Sequence, residues 1–262
     1  MSEPNVQNIV KYLNQKKITQ PYAAVILGSG LGDFADRIDN KVSIPYTDIP
    51  GMPTVTVSGH AGSVYFGDVA GKKIIAFGGR FHGYEGHGIE TTLCLVHIAA
   101  KMGVQLMLIS NAAGSVTQRL NVGDLMLIND FMSPGYQFAQ KDKPTYIRYD
   151  NKAFRGKILQ IAAKCGIHLQ HGTYFYVKGP TYETKAEVRA FRTMGADVCG
   201  MSTAPEMLES VRLGMNCIGI TLVTNMATGV SAGKLHHSEV KETAETRKDD
   251  FARLITELIQ SF

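Results

Sequence analysis

The chain has 262 residues, of which 44% are hydrophobic and 19% are charged, and its formal net charge is +4. A chain of this length and apolar content can bury one sizeable core, so we expect a single domain over residues 1–262. Lysine and arginine are spread along the sequence instead of clustering. This distribution argues against a protein that binds nucleic acid or a membrane surface.

Two further features of the sequence lead us to expect a cytoplasmic protein. No apolar run approaches the roughly 18 residues that a membrane-spanning helix needs, and residues 1–17 lack the apolar stretch of a signal peptide. The four cysteines are far apart, have no CxxC pair and lie in apolar surroundings: Cys94, Cys165, Cys199 and Cys217. We therefore expect reduced core cysteines and no disulfide.

The predicted elements begin with an amphipathic helix, because Val6, Ile9, Val10 and Leu13 have the spacing of one helical face. Short apolar runs then predict six buried strands, at residues 23–28, 72–78, 104–110, 173–179, 197–201 and 216–225. Amphipathic segments predict further helices at residues 88–103, 151–166, 184–195, 204–215 and 238–262. This alternation predicts an α/β fold in which helices flank a mixed or parallel sheet.

Thr184 with Glu187, and Thr203 with Glu206, have the spacing of a capping box at a helix start.

Each predicted strand is followed by a polar, glycine-rich segment. In chain order these segments are GSGLG, GRFHGYEG, SNAAGS, GPTYET, GMSTAPE and TNMATG. Ligands of open α/β sheets bind at the carboxyl ends of the strands, so we expect the six segments to meet there in one site. We interpret SNAAGS and GMSTAPE as strand-to-helix junctions, where free backbone amides favour an anion.

Three alternative sites are not favoured by these segments. GSGLG has Asp33 where the third glycine of a dinucleotide motif would fall, so a single phosphate at Ser29, or a simple turn, is the better interpretation. The segment around Ser202, GMSTA, lacks the last glycine of a hydrolase nucleophile elbow. The histidines and cysteines lack metal-ligand spacing, and we expect no metal.

Arg80 and His82 can point to the same side of an extended segment, and an arginine fork suits a tetrahedral oxyanion. His60, in the segment SGHAGS, is another candidate donor near the same strand ends. Any one of them alone could be an ordinary surface or core residue, but their shared placement favours a phosphate clamp. Glu183 and Asn225 suit a heterocycle, because a carboxylate accepts from ring N–H groups and an amide both donates and accepts.

The ordered motifs GSGLG, GHAG, GRFHGYEG, SNAAGS, GPTYET, GMSTAPE and TNMATG, followed by HHSEV, resemble those of the trimeric purine nucleoside phosphorylases, a family that includes methylthioadenosine phosphorylases. The resemblance covers residues 23–260. It implies a nucleoside-phosphorylase-like fold, a homotrimer and a transferase of purine salvage. The implied reaction is reversible phosphorolysis of a purine nucleoside to the base and pentose 1-phosphate, with inorganic phosphate as co-substrate and no cofactor.

The resemblance also implies roles for individual residues. Asn225, Glu183 and His82 would be the catalytic residues, and Glu85 would support His60 or His82. The implied phosphate ligands are Ser29, His60, Arg80, His82, Asn111, Ala112 and Ser202, with His60 as a contact or gate. The implied ribose contacts are Tyr84, Tyr174, Met201 and His237. The implied purine contacts are Tyr182, Glu183, Cys199, Gly200 and Asn225.

Asn225 bears on specificity, because in the resembling family asparagine there goes with 6-oxopurines and aspartate with 6-aminopurines. His237 favours the same choice, since it can hydrogen-bond a free 5′-hydroxyl. A methylthioadenosine or 6-aminopurine phosphorylase and a non-catalytic nucleoside-binding protein remain alternatives. The segment at residues 129–150 is shorter than the family's loop that reaches a neighbouring subunit. Its candidate aromatics are Tyr146 and then Phe138.

Overall fold

A computed structural model describes residues 5–57, 59–133, 152–231 and 238–262 of the chain. Within these residues the α-helices are α1 (Val6–Gln15), α2 (Ile89–Thr92), α3 (Cys94–Lys101), α4 (Lys152–Lys164), α5 (Lys185–Thr193), α6 (Ala204–Arg212) and α7 (Ser238–Ser261). The strands are β1 (Ala23–Leu27), β2 (Asp39–Pro45), β3 (Ser63–Val69), β4 (Lys72–Gly78), β5 (Leu106–Ser115), β6 (Leu125–Met132), β7 (Gln170–Tyr176), β8 (Val198–Gly200) and β9 (Asn216–Met226).

These strands form one mixed sheet in the order β2-β3-β4-β1-β5-β8-β7-β6-β9. Strand β9 also pairs with β5, so that β5, β8, β7, β6 and β9 close into a ring of strands. Strands β4, β1, β5 and β9 are parallel to one another, as are β6, β7 and β8. The second group is antiparallel to the first where β5 meets β8 and β9 meets β6.

Helices cover both faces of the sheet. One large apolar cluster contains side chains of α1, α3 and α6, and another contains side chains of α4 and α7. Strand β1 contributes to both, since Ala24 and Ile26 belong to the first cluster while Ala23, Val25 and Leu27 belong to the second. This two-sided burial explains the uninterrupted apolar run of the strand.

The α/β fold class is confirmed, and each of the six predicted strands is present with small shifts at its ends. The helix expected over residues 88–103 is divided into α2 and α3. Three strands were missed: β2, β3 and β6. Strand β2 has an exposed side chain at nearly every position, so it lacks an apolar signal. Strand β6 begins with the buried run Leu125–Ile128, a signal that could have been found.

Two expectations about strand ends were wrong. SNAAGS is not a strand-to-helix junction, because residues 110–115 continue β5 and pair with β9 and β8. The carboxyl ends of the strands do not all share one edge either, since β7 and β8 run against β5. The motifs still meet, because Gly114 of β5 lies opposite Cys199 of β8 in an antiparallel pair. The capping residues at the start of α5 and α6 were predicted correctly.

All four cysteines are free thiols, as expected. No helix among the described residues is long and apolar enough to cross a membrane.

Candidate active site

One cavity collects residues from the ends of β1, β4, β5, β8 and β9 and from the segment after β7. The predicted site residues on its wall are Ser29, Arg80, His82, Tyr84, Asn111, Ala112, Tyr182, Glu183, Cys199, Gly200, Met201, Ser202 and Asn225. Three predicted residues are not on this wall: His60, Tyr174 and His237. His60 and Tyr174 each contact a residue of the wall, Ser29 and Ser202 respectively. His237 lies outside the described residues, as do Tyr146 and Phe138.

Arg80 is the most tightly held side chain of the site and is only 2% exposed. Its Nε donates to Oε1 of Glu206 at 3.2 Å, its Nη1 donates to Oγ of Ser202 at 3.1 Å, and its Nη2 donates to the carbonyl oxygen of Ser110 at 2.7 Å. A guanidinium has five N–H groups, so two remain for a ligand in the cavity. This arrangement suits an oxyanion.

Glu85 supports His82, one of the two histidines expected as its partner. Its Oε1 accepts from the backbone N–H of His82 at 2.8 Å and lies 2.9 Å from Nδ1 of the same ring. Its Oε2 accepts from the backbone and hydroxyl of Thr56. Burial raises the pKa of Glu85, but the hydrogen bonds from His82 and Thr56 outweigh it and lower that pKa to about 2. Since Nδ1 faces a carboxylate, Nε2 is the nitrogen of His82 left for a ligand.

His60 contacts the site through Ser29. Its Nδ1 accepts from the backbone N–H of Arg80 at 3.3 Å, so the ring's own proton resides on Nε2, which lies 3.3 Å from Oγ of Ser29. Burial, followed by the charges of Arg80 and His82, lowers the pKa of His60 to about 3. A neutral His60 therefore donates to the Ser29 hydroxyl, and that hydroxyl can donate its proton toward the cavity.

The rings of His60, His82 and Tyr84 form a column. The His60 and His82 centroids are 5.6 Å apart, and those of His82 and Tyr84 are 4.7 Å apart, with nearly parallel planes. Burial, with the neighbouring charge of Glu85, raises the pKa of Tyr84 to about 12, which keeps its hydroxyl protonated and able to donate.

The middle of β5 adds backbone and amide groups to the wall. Asn111 is 1% exposed, and neither its Oδ1 nor its Nδ2 has a hydrogen-bond partner within the described part of the chain. A buried amide of this kind is costly unless a ligand or water satisfies it. Ala112 follows directly and pairs with Leu222 of β9.

Asn225 is oriented by groups of its own strand. Its Oδ1 accepts from the Thr224 hydroxyl at 3.0 Å, and its Nδ2 donates to the carbonyl oxygen of Met226 at 3.3 Å. One N–H of the amide is left for the cavity. A Cβ atom on Gly114 would lie 2.9 Å from this Nδ2, so the glycine makes room for the amide.

Glu183 lies across the cavity in the segment after β7. Burial raises its pKa above the ordinary value, although hydrogen bonds that include one from the Cys199 thiol oppose the shift. Burial and the charge of Glu183 in turn raise the pKa of Cys199, so its thiol stays protonated and able to donate. Tyr182 is half exposed at the mouth.

Tyr174 is fully buried, and its hydroxyl accepts from the backbone N–H of Ser202 at 3.3 Å. Burial raises its pKa above the ordinary value. The expected ribose contact of Tyr174 stays a prediction, and its observed contact supports Ser202 from behind.

The sequence did not reveal the groups that hold these side chains: Ser110, Thr224 and the Glu206 carboxylate toward Arg80. Glu206 was assigned only a capping role, and its second oxygen accepts from the buried Arg80 guanidinium. Among the described residues no group of three histidine, cysteine or acidic side chains could hold a metal ion.

Comparison with known proteins identifies the family. A model of the phosphorylase superfamily matches residues 22–260. Purine nucleoside phosphorylase 1 of Geobacillus stearothermophilus is 36% identical over 100% of this chain and 98% of its own. The corresponding Bacillus subtilis enzyme is 37% identical over 98% of both chains, and the Bos taurus purine nucleoside phosphorylase is 33% identical over 97% and 94%.

Solved structures of Schistosoma mansoni purine nucleoside phosphorylase are similar in fold. The complex with adenosine has a TM-score of 0.88 and 30% identity, and it covers 98% of this chain and 97% of its own. The complex with inosine has a TM-score of 0.86 at the same identity, with coverages of 98% and 96%. The family match and the full-length relatives together show that the chain belongs to the phosphorylase superfamily.

Proposed function

We propose that this chain is a purine nucleoside phosphorylase, a pentosyltransferase that converts 6-oxopurine ribonucleosides and deoxyribonucleosides, such as inosine and guanosine, and phosphate to the free base and (deoxy)ribose 1-phosphate, reversibly, in purine salvage. The single observation that carries the proposal is one cavity with two kinds of donor on its wall. Arg80 contributes a buried guanidinium whose two remaining N–H groups can bind a ligand, and Asn225 contributes an amide N–H.

The two kinds of donor suit the charges that develop when the glycosidic bond breaks. The sugar becomes positive, as in other glycosyl transfers, and the departing purine becomes negative. Phosphate held by Arg80, His82 and Ser29 stabilises the sugar and supplies the nucleophilic oxygen. Asn225 donates toward N7 and O6 of the base, and such a donor contributes about 10²–10³ in rate.

Glu183 orients the base by accepting from ring N–H groups. Tyr84 and Met201 are the proposed ribose contacts on the cavity wall. The half-exposed Tyr182, together with Cys199 and Gly200, completes the proposed purine pocket.

The 6-oxopurine preference rests on the Asn225 amide, because an ionised carboxylate cannot donate to a 6-oxo group. The similar Schistosoma mansoni protein has been solved with adenosine as well as inosine. Binding of a nucleoside alone therefore does not distinguish the two substrate classes, and turnover must be measured.

The test is release of hypoxanthine from inosine with and without inorganic phosphate. We expect release that depends on phosphate, with slower release of adenine from adenosine or methylthioadenosine. Turnover of methylthioadenosine alone would make the chain a 6-aminopurine enzyme. Tight inosine binding without turnover would make it a nucleoside-binding protein.

We also propose a homotrimer in the cytoplasm, with inorganic phosphate as co-substrate and no cofactor, and a single domain over residues 1–262. The joining of all described strands in one sheet supports the single domain. Light scattering gives the mass of the assembly directly.

A further inference from the structure

A buried ion pair lies directly behind the cavity. Nε of Arg80 is 3.2 Å from Oε1 of Glu206, and the two side chains are 2% and 1% exposed. Glu206 belongs to α6 and is not on the cavity wall. Burying both charges costs solvation free energy, and an apolar pair of the same volume is often equally stable. Stability alone therefore does not explain a carboxylate at this place.

The carboxylate connects two segments that both reach the cavity. Oε1 accepts from Arg80, which follows β4, and Oε2 accepts from the backbone N–H of Thr203 at 3.1 Å, at the start of α6. Thr203 has a φ of +73°, a strained conformation for a residue with a side chain. The bond from its amide to Glu206 helps to hold this turn, next to Ser202.

The same contacts determine which donors of Arg80 are left for an anion. The bonds to Glu206, Ser202 and the Ser110 carbonyl use one N–H on Nε, one on Nη1 and one on Nη2. One N–H remains on each Nη atom, and Arg80 lines the cavity. A planar fork held at three points presents these two donors in a fixed direction.

We propose that Glu206 is a positioning residue for the phosphate subsite, which orients the Arg80 guanidinium and the turn at Ser202 and Thr203 together without contacting either substrate. This inference rests on the proposed function, because it assigns the anion beside Arg80 to the phosphate co-substrate. A carboxylate behind the arginine also repels an incoming anion. The proposal requires positioning to outweigh this repulsion, so the sign of the change in phosphate affinity tests it.

The first variant is Glu206→Gln, which keeps the shape of the side chain. It replaces one acceptor oxygen by an amide donor, so either Arg80 or Thr203 loses its partner. We expect the KM for phosphate to rise about tenfold and the KM for inosine to change less than about twofold. Calorimetry with inorganic phosphate should show a matching loss of affinity.

Glu209→Gln is the matched control. Glu209 lies three residues further along α6, its Oε2 accepts from Nε of Arg212 at 2.6 Å, and it is not on the cavity wall. Both KM values should stay close to those of the unmodified chain.

The second test variant, Glu206→Asp, keeps the charge but is too short to span Arg80 and Thr203 together. Glu206→Asp should also raise the KM for phosphate. If circular dichroism shows that Glu206→Gln is unfolded, Glu206→Asp replaces it as the test variant.

An unchanged or lowered phosphate KM in a folded Glu206 variant overturns the proposal, since a lowered value means that the carboxylate only opposes the anion. An equal rise in both KM values overturns it as well, because that pattern indicates general damage to the site. If the unmodified chain releases no hypoxanthine from inosine, the proposed function fails instead. Calorimetry with inorganic phosphate still tests Glu206 in that case.

Discussion

The two halves of the candidate site differ in where the contacts that hold them come from. On the proposed phosphate side, Arg80 is held by Glu206 of α6, and His82 is held by Glu85, which also accepts from Thr56. On the proposed purine side, the Asn225 side chain bonds, within the described part of the chain, only to the residues next to it in β9, Thr224 and Met226.

This difference indicates that the side chains of the proposed phosphate subsite are oriented before a ligand binds, whereas those of the proposed purine subsite are more open. Arg80 and His82 are buried, while Glu183 and Asn225 are half-buried and Tyr182 is half exposed. Donors that are already oriented stabilise developing charge without reorganising during the reaction. If the base binds there as proposed, the more open purine side leaves the Asn225 amide and the Glu183 carboxylate available to recognise it.

The largest effect on phosphate turnover is expected when Arg80, the central residue of the proposed phosphate half, is replaced. In Arg80→Ala the two free N–H groups are lost and the buried Glu206 carboxylate loses its partner. We expect kcat/KM for phosphate to fall about 10²–10³-fold. The KM for inosine should change far less, and initial rates at varied phosphate concentrations measure both.

Arg253→Ala is the control for this experiment, because Arg253 is an exposed arginine of α7 that pairs with Asp250. It should leave both constants unchanged. Unaltered phosphate dependence in Arg80→Ala would remove Arg80 from the clamp and would end the distinction between the two halves.

The purine half is tested by Asn225→Asp. A carboxylate cannot donate to a 6-oxo group, and it also places a second acceptor against the Met226 carbonyl. We expect kcat/KM for inosine to fall about 10²-fold, with a smaller loss for adenosine. The ratio of kcat/KM for inosine to kcat/KM for adenosine, measured in one preparation, serves as the internal control. Equal losses for the two substrates would refute the proposed basis of specificity.

The same comparison explains what the sequence could predict. The motifs placed Arg80, His82, Glu183 and Asn225 on one wall, because each lies near or after the carboxyl end of a strand whose apolar run was recognisable. The strand ends did not meet for the reason expected, however. They converge through the antiparallel contact of β5 with β8, which brings Gly114 opposite Cys199, and no local pattern encodes that contact.

The supporting contacts were the least predictable part of the site. Capping-box spacing identified one role of Glu206, the bond to the Thr203 amide, but its other oxygen binds an arginine 126 positions earlier in the chain. Tyr174 has a contact of the same kind. The resemblance implies a sugar contact for it, which stays a prediction, and the fold adds that its hydroxyl accepts from the backbone N–H of Ser202.

The smallest predicted effect tests whether the phosphate half is formed in the free protein. Burial and the charges of Arg80 and His82 lower the pKa of His60 from 6.5 to about 3. Between these values the unfolded chain binds a proton that the folded chain does not, so the free energy of unfolding falls as the pH falls. From pH 7 to pH 5 this loss amounts to about 2 kcal/mol at most.

His60→Gln removes the titrating group, so its free energy of unfolding should fall less over the same interval, as measured by urea titration at the two pH values. His168→Gln, at an exposed histidine before β7, is the control and should keep the pH dependence of the unmodified chain. Equal pH dependence in all three proteins would mean that His60 titrates as it does in the unfolded chain. The column of His60, His82 and Tyr84 would then form only when phosphate binds, and the contrast between a built phosphate half and an open purine half would no longer hold.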